Sequence, residues 1–113
     1  MDINSLNRNS ITKVHIPKSI NKLNYFRGVV LKEITNLIND LQGDIVYSPE
    51  YVLEEIIKPK FYFEWKYDSE KDEYTQENLS LKDISDDRMY KLINDTVIWA
   101  EMTFNTEISK PNE

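Results

Sequence analysis

A stripe of apolar residues at helical spacing constrains the fold of this chain more than any other feature. Its seven members follow one another at steps of three or four residues: Ile20, Leu23, Phe26, Val30, Ile34, Leu37 and Leu41. Such steps place side chains along one face of an α-helix. Gly43 comes next, and glycine is the usual residue just past a helix C-terminus. The sequence therefore predicts a long helix that ends at Gly43, with Gly28 inside it as a site of bending or close contact.

Two further helices are indicated by the residues that begin them. Ser48 and Pro49 form an N-cap and a first helical position, and the short helix that they open is expected to end at Lys58-Pro59. Ser85 precedes two acids where the helix dipole favours negative charge. The stripe of the helix that starts there consists of Met89, Ile93, Val97, Ala100 and Phe104.

A strongly aromatic strand is predicted between the second and third helices. The run from Phe61 to Tyr67 alternates, so that one face carries Phe61, Phe63, Trp65 and Tyr67 and the other carries Tyr62, Glu64 and Lys66. We expect Phe61, Phe63 and Trp65 of the first face to pack under the helices as core. A turn at 68–72 and a weaker return strand over 73–81 complete a hairpin.

Together these elements predict an α+β fold. A long N-terminal helix and a C-terminal helix pack with a short helix and a small antiparallel β-hairpin sheet. The segment from Ile11 to Ile16, stopped by Pro17, is expected to add a short edge strand. Residues 1–113 are expected to form a single domain, with 1–10 and 107–113 flexible.

Charge is distributed unevenly along the chain. Up to Gln42 there are six Lys or Arg residues and three Asp or Glu residues, whereas from Gly43 onward eight basic residues face seventeen acidic ones. The densest acidic stretch runs from Glu64 to Asp87. The net charge of −6 disfavours direct binding to nucleic acid, because such binding depends on cationic contacts with phosphate.

The composition also bears on the compartment. The chain has no cysteine, no apolar run of the roughly 18 residues that span a bilayer, and a polar start without the apolar core of a signal peptide. We therefore expect a cytoplasmic protein without a membrane partner.

The residues of the chain favour no catalytic, cofactor-binding or metal-binding site. His15 is the only histidine, so acid-base chemistry and zinc binding lack their usual side chains. The acids from Asp68 onward resemble a calcium loop only weakly, because Glu73 and Leu79 stand where such a loop needs glycine and a bidentate glutamate. We expect the chain not to be an enzyme and to need no cofactor.

The acidic stretch supplies the leading functional hypothesis, a non-enzymatic inhibitor that blocks a basic protein such as a nuclease or a nucleic-acid-handling complex. Acidic surfaces steer such encounters electrostatically. Immunity proteins, antitoxins and phage anti-defence proteins are inhibitors of this general kind, although no motif assigns the chain to one of those families. The expected contact residues, with Trp65 holding the strand, are Tyr62, Glu64, Asp68, Glu70, Asp72 and Glu73.

Two other functions remain open from the sequence. A small structural or assembly protein of a phage or mobile element could self-associate through the long helix, for which a second apolar stripe would be needed, with Tyr25, Val29 and Leu31 as candidates. Since these do not form a long continuous face, we expect the free protein to be a monomer. A DNA-binding regulator could instead use the basic N-terminal third, that is Arg8, Lys13, Lys18, Lys22 and Arg27.

Overall fold

Residues 14–111 are described in the computed structural model, and they form three helices and one two-stranded antiparallel sheet. Helix α1 spans 22–42, helix α2 spans 49–61, and helix α3 is Asp86–Phe104. Strands β1, Phe63–Asp68, and β2, Glu73–Asn78, form the sheet between α2 and α3. The predicted α+β class is confirmed. The three helices have 21, 13 and 19 residues, so α2 is longer than the short helix that the sequence predicts.

Helix α1 contains one π-helical turn, Phe26–Val30, between the α-helical segments Lys22–Tyr25 and Leu31–Gln42. A π-helical turn holds an additional residue, which rotates the face of the helix that follows. Ile34 therefore stays fully buried, while Ile38 enters the core and Leu41 is exposed. Gly28 lies inside this turn, and a Cβ atom there would meet open space, so no close contact explains the glycine. Gly43 ends the helix at a positive φ of 72°, as predicted.

Helix α2 begins as predicted and ends later than predicted. The Ser48 hydroxyl accepts the backbone N–H of Tyr51 at 3.1 Å. The helix then passes through a π-helical turn, Leu53–Ile57, and continues beyond Pro59 to Phe61. In this turn the N–H of Lys58 donates to the carbonyl of Leu53. Pro59 has no N–H to donate to the Glu54 carbonyl in the π-helical pattern, and the Asn78 side-chain amide donates to that carbonyl instead, which lets the helix continue past the proline.

The segment before α1 is not a strand where the structure describes it. Residues 14–16 have no regular secondary structure, while residues 1–13, which include the predicted flexible lead-in and the start of the predicted edge strand, lie outside the described residues. The N–H of Val14 donates to the buried Asn94 side chain at 2.6 Å, and Val14 and Ile16 are buried against the core. The Asn94 side chain of α3 therefore accepts the backbone N–H of Val14, which a neighbouring strand would accept if this segment were an edge strand.

The segment after α3, for which the sequence predicts flexibility, is anchored at Ile108 and Ser109. Ile108 is 1% exposed, and its N–H donates to the Glu101 carboxylate at 2.9 Å. The next residue, Ser109, donates its N–H to Glu33 at 2.9 Å and accepts the Tyr25 hydroxyl at 2.8 Å. One buried isoleucine and three hydrogen bonds between side chains and the backbone of Ile108 and Ser109 thus attach this segment to α1 and α3. The flexibility of 107–113 stays a prediction, and residues 112–113 lie outside the described part.

One core joins the three helices. Phe26 and Val30 of α1, Ile57 of α2, and Ile93 and Val97 of α3 are among its fully or almost fully buried side chains. The contacts of the hairpin with the helices are mainly with the end of α2. Among the residues that the structure covers, no helix has both the length and the apolarity that a membrane crossing needs.

Candidate functional site: the β-hairpin

The hairpin is a ribbon of two strands whose central residues are exposed. In the antiparallel register Phe63 lies opposite Asn78, Trp65 opposite Gln76 and Tyr67 opposite Tyr74. Directly opposite residues share a face of the sheet, so these six side chains lie on one side and the intervening ones on the other. Phe63 and Asn78, beside α2, and Asp68, next to the turn, are partly buried, and the other strand residues are exposed. The outer part of the hairpin therefore presents two open faces.

We call the first side the aromatic face, formed by Phe63, Trp65, Tyr67 and Tyr74. Phe63 and Trp65 meet edge to face with ring centroids 5.9 Å apart, and Tyr67 and Tyr74 form a tilted pair at 5.3 Å. Trp65 is 62% exposed, Tyr67 53% and Tyr74 68%. Three large aromatic side chains are thus arranged against one another and left open to solvent.

We call the second side the acidic face, formed by Glu64, Asp68, Glu73 and Glu77 around Lys66. Glu64 lies directly opposite Glu77, a pairing of like charges that destabilises a sheet. The Lys66 ammonium lies between them, 2.9 Å from Glu77 and 3.9 Å from Glu64. Its hydrogen bond to Glu77 and the negative charge of both carboxylates raise the pKa of Lys66. One lysine thus offsets part of the repulsion, and the face remains net negative.

The turn between the strands is held by two aspartates. A carboxylate oxygen of Asp68 accepts the N–H of Glu70 at 3.0 Å and that of Lys71 at 3.4 Å. Asp72 adopts a positive φ of 54°, which aspartate tolerates better than most residues. Its carboxylate also accepts the Tyr67 hydroxyl, and this hydrogen bond raises the pKa of Tyr67. Asp68 and Asp72 consequently have structural roles in addition to their charge.

Five of the six predicted contact residues lie together on the hairpin, and Tyr62 does not. Glu64, Asp68, Glu70, Asp72 and Glu73 occupy the acidic face and the turn, whereas Tyr62 is 7% exposed. The Tyr62 hydroxyl donates to the Ser80 carbonyl at 3.2 Å, and the Arg88 guanidinium lies 5.2 Å from its ring centroid. Tyr62 is therefore a core residue between α2 and β1, and its place among the contact residues is corrected.

The expectation that Phe61, Phe63 and Trp65 pack under the helices is also wrong for Trp65. Phe61 belongs to α2 and meets Trp99 at 6.2 Å, and Phe63 is partly buried, but Trp65 and Tyr67 are exposed. The sequence of the return strand indicates that this face is exposed. Apart from Tyr74, β2 consists of polar residues, so β2 adds little apolar surface to the face that it shares with Trp65 and Tyr67.

The residues considered for DNA binding are partly engaged by acids of the same chain. Lys22 pairs with Asp86 at 3.1 Å and Arg27 with Glu50 at 2.8 Å. Lys18 lies beside an open groove that also has Lys22 and Lys82 in its lining. Arg8 and Lys13 lie outside the described residues. The described basic residues of this third are therefore weaker phosphate ligands than their number suggests.

The residues considered for a second stripe on α1 belong to the core. Tyr25 is 5% exposed and Leu31 is 1% exposed, while Val29 is partly buried against the same cluster. Self-association through α1 would therefore need a surface other than the one that the sequence suggested.

Residues suited to catalysis or metal binding are not brought together in the described part of the chain. His15 is exposed just before α1. Within residues 14–111, no group of three or more His, Cys, Asp or Glu side chains is arranged to hold a metal ion.

The chain matches no protein-family model, and comparisons with curated proteins and with solved structures found no significant match. The hairpin therefore has to be interpreted from its own geometry.

Proposed function

We propose that this chain is a non-enzymatic inhibitor that binds a basic protein through its hairpin, in the manner of immunity proteins, antitoxins and phage anti-defence proteins. The observation that carries the proposal is the exposure of Trp65, Tyr67 and Tyr74 on a ribbon that is acidic on its other face. Tryptophan and tyrosine are enriched at the centres of protein interfaces, where they provide much of the binding energy.

The free energy of the hairpin favours a covered state. An isolated two-stranded hairpin is only marginally stable in water, and stable ones usually have one face packed. Here the face that would be packed is covered only near Phe63, where α2 lies against it. A partner that covers Trp65 and Tyr74 would remove their apolar surface from water, which contributes roughly 25 cal/mol per Å².

The charge of the hairpin selects the kind of partner. Residues 63–78 include six acids and only two lysines, and the second lysine, Lys71, lies in the turn. Carboxylates spaced along a protruding ribbon attract the same surface that attracts a phosphate backbone. A nuclease or a nucleic-acid-handling complex has such a surface, and its occupation by the hairpin would compete with its substrate.

The test compares two charge-reversed variants that have the same net charge. Glu70→Lys with Glu73→Lys changes the hairpin while leaving the turn hydrogen bonds of Asp68 and Asp72 in place. Asp44→Lys with Glu107→Lys changes exposed acids elsewhere. Either pair brings the net charge from −6 to −2. Exposed substitutions of this kind usually change stability by under about 0.5 kcal/mol, so both variants should fold.

Proteins from the source cells are first captured on the immobilised wild type and on both variants. A protein retained by the control variant and lost by the hairpin variant is then used for association kinetics over a range of salt concentrations. We expect its association rate with the wild type to fall as salt rises, and the hairpin variant to associate more slowly at low salt. The proposal is refuted if no protein is retained by the control variant and lost by the hairpin variant, or if the association rate of such a protein is flat with salt.

A further inference from the structure

The chain covers two of its inner aromatic rings with its own cations. The Arg88 guanidinium lies 5.2 Å from the centroid of Tyr62, and the Lys60 ammonium lies 5.6 Å from that of Trp99. Cations at this distance are attracted by the negative face of an aromatic ring. Among the described residues, no such contact involves Trp65, Tyr67 or Tyr74. Lys66, which follows Trp65, lies on the acidic face and is bound by Glu77.

The aromatic face is bordered by a carboxylate. Tyr67 donates its hydroxyl to Asp72, and the same ring forms the tilted pair with Tyr74. Donation to a carboxylate moves electron density toward the phenol oxygen and its ring, which strengthens the attraction for a cation. A purely apolar partner would have to remove Asp72 from water without replacing its hydrogen bonds, which is unfavourable. A cationic partner would satisfy both the rings and the carboxylate.

We propose that the aromatic face binds arginine side chains of the partner, with a guanidinium group lying against Trp65 and the Tyr67–Tyr74 pair. Guanidinium is favoured over ammonium because it is planar, stacks on aromatic rings, is weakly hydrated and can donate to a carboxylate while stacked. This inference rests on the proposed function, since it names the group through which a basic partner is recognised. In this proposal the aromatic face recognises the partner's arginine side chains, and the acidic face attracts the basic partner at long range.

The probe is a blocked ten-residue peptide of alternating arginine and glycine, together with two peptides in which lysine or citrulline replaces arginine. Citrulline keeps the shape of arginine and removes its charge. Binding is followed by the NMR signals of the two indole N–H groups, with Trp99 as the internal reference for Trp65. We expect saturable movement of the Trp65 signal with the arginine peptide, roughly tenfold weaker affinity for the lysine peptide, and no saturation with the citrulline peptide.

Two matched tyrosine variants locate the binding. Tyr74→Leu removes one ring of the Tyr67–Tyr74 pair. Tyr51→Leu removes the α2 ring of the stacked Tyr47–Tyr51 pair, whose centroids are 4.6 Å apart. We expect the affinity for the arginine peptide to fall roughly tenfold in Tyr74→Leu and in Trp65→Leu, and to be unchanged in Tyr51→Leu. Because Trp65→Leu lacks the reporting indole, its affinity is measured from the backbone N–H signals of β1 and β2. The peptide comparison on the wild type does not depend on how these variants fold.

Several results would overturn the inference. One is a Trp65 signal that no peptide moves, and another is equal affinity for the arginine and citrulline peptides. A third is loss of binding in Glu70→Lys with Glu73→Lys but not in Trp65→Leu; this would leave the proposed function intact. Preferential, Trp65-dependent binding of a ten-nucleotide oligothymidylate would mean that the rings stack on bases. Conversely, arginine binding without any salt-dependent protein partner would support the inference and refute the proposed function.

Discussion

At the scale of single residues, three side chains of α1 and α3 hold the C-terminal segment. The Tyr25 hydroxyl donates to the Ser109 carbonyl, and the carboxylates of Glu33 and Glu101 accept the N–H groups of Ser109 and Ile108. Burial of the Tyr25 ring, followed by the negative charge of Glu33 and Glu101, raises the pKa of Tyr25 to about 12. The neutral phenol is therefore favoured in the folded chain.

This shift predicts a loss of stability at alkaline pH. An unfolded tyrosine ionises near pH 10, so stability from Tyr25 is fully present below that pH and is lost as pH rises toward about 12. We expect urea midpoints measured from pH 9 to 12 to fall more steeply for the wild type than for Tyr25→Phe. Tyr51→Phe, which changes an exposed tyrosine, should follow the wild type. Equal slopes for wild type and Tyr25→Phe would contradict the prediction.

At the scale of elements, two amides of β2 attach the hairpin to α2. In a π-helical turn the N–H of residue 59 would donate to the Glu54 carbonyl, but Pro59 has no N–H. The Asn78 side-chain amide donates to this carbonyl instead, at 2.6 Å. Two residues earlier on the same face, Gln76 donates to the Pro59 carbonyl at 2.7 Å. The irregularity of α2 and the position of the hairpin thus depend on each other.

Removal of the Asn78 amide should loosen this attachment. Asn78→Ala leaves the partly buried Glu54 carbonyl without that donor, and we expect a loss of roughly 1–3 kcal/mol in the free energy of unfolding. Amide hydrogens of β1 should exchange faster, while those of α3 should change only with global stability. Thr75→Ala, on the opposite face of the same strand, is the control. Unchanged exchange in β1 would show that the amide does not fix the hairpin.

At the scale of the whole molecule, the basic beginning and the acidic remainder of the chain are partly joined by ion pairs. Lys22 of α1 meets Asp86 of α3, and Arg27 of α1 meets Glu50 of α2. Exposed pairs of this kind contribute at most about 1 kcal/mol each. Their larger consequence is for the surface charge. These pairs engage basic side chains of α1 with acids outside the hairpin, so the hairpin stays net negative.

The same distribution predicts a monomer. Tyr25 and Leu31 are buried in the core, so they are not available for pairing of two α1 helices, and two acidic hairpins repel each other. We expect light scattering to give a mass near 13.5 kDa at low and at high salt. Twice this mass would favour the assembly function. Trp65→Leu would then distinguish a dimer formed through the hairpin, which it should weaken, from one formed through α1.

The sequence by itself determined the elements that depend on near neighbours. Gly43 ends α1, Ser48 begins α2 and Ser85 begins α3, because caps and apolar periodicity act within a few residues. The pairing of β1 with β2 followed from the turn between them. Five of the six predicted contact residues lie on the hairpin for the same reason, since they are close together in the chain.

Only the tertiary structure decided which surfaces are covered. The exposure of Trp65 depends on the absence of an apolar layer opposite it, and the burial of Tyr62 depends on Arg88 and Ser80. Continuation of α2 past Pro59 depends in part on Asn78, and the order of the C-terminal segment depends on Glu33 and Tyr25. These contacts join residues that are far apart in the chain. The periodicity of apolar residues describes one helix or strand at a time, so it cannot show which elements meet.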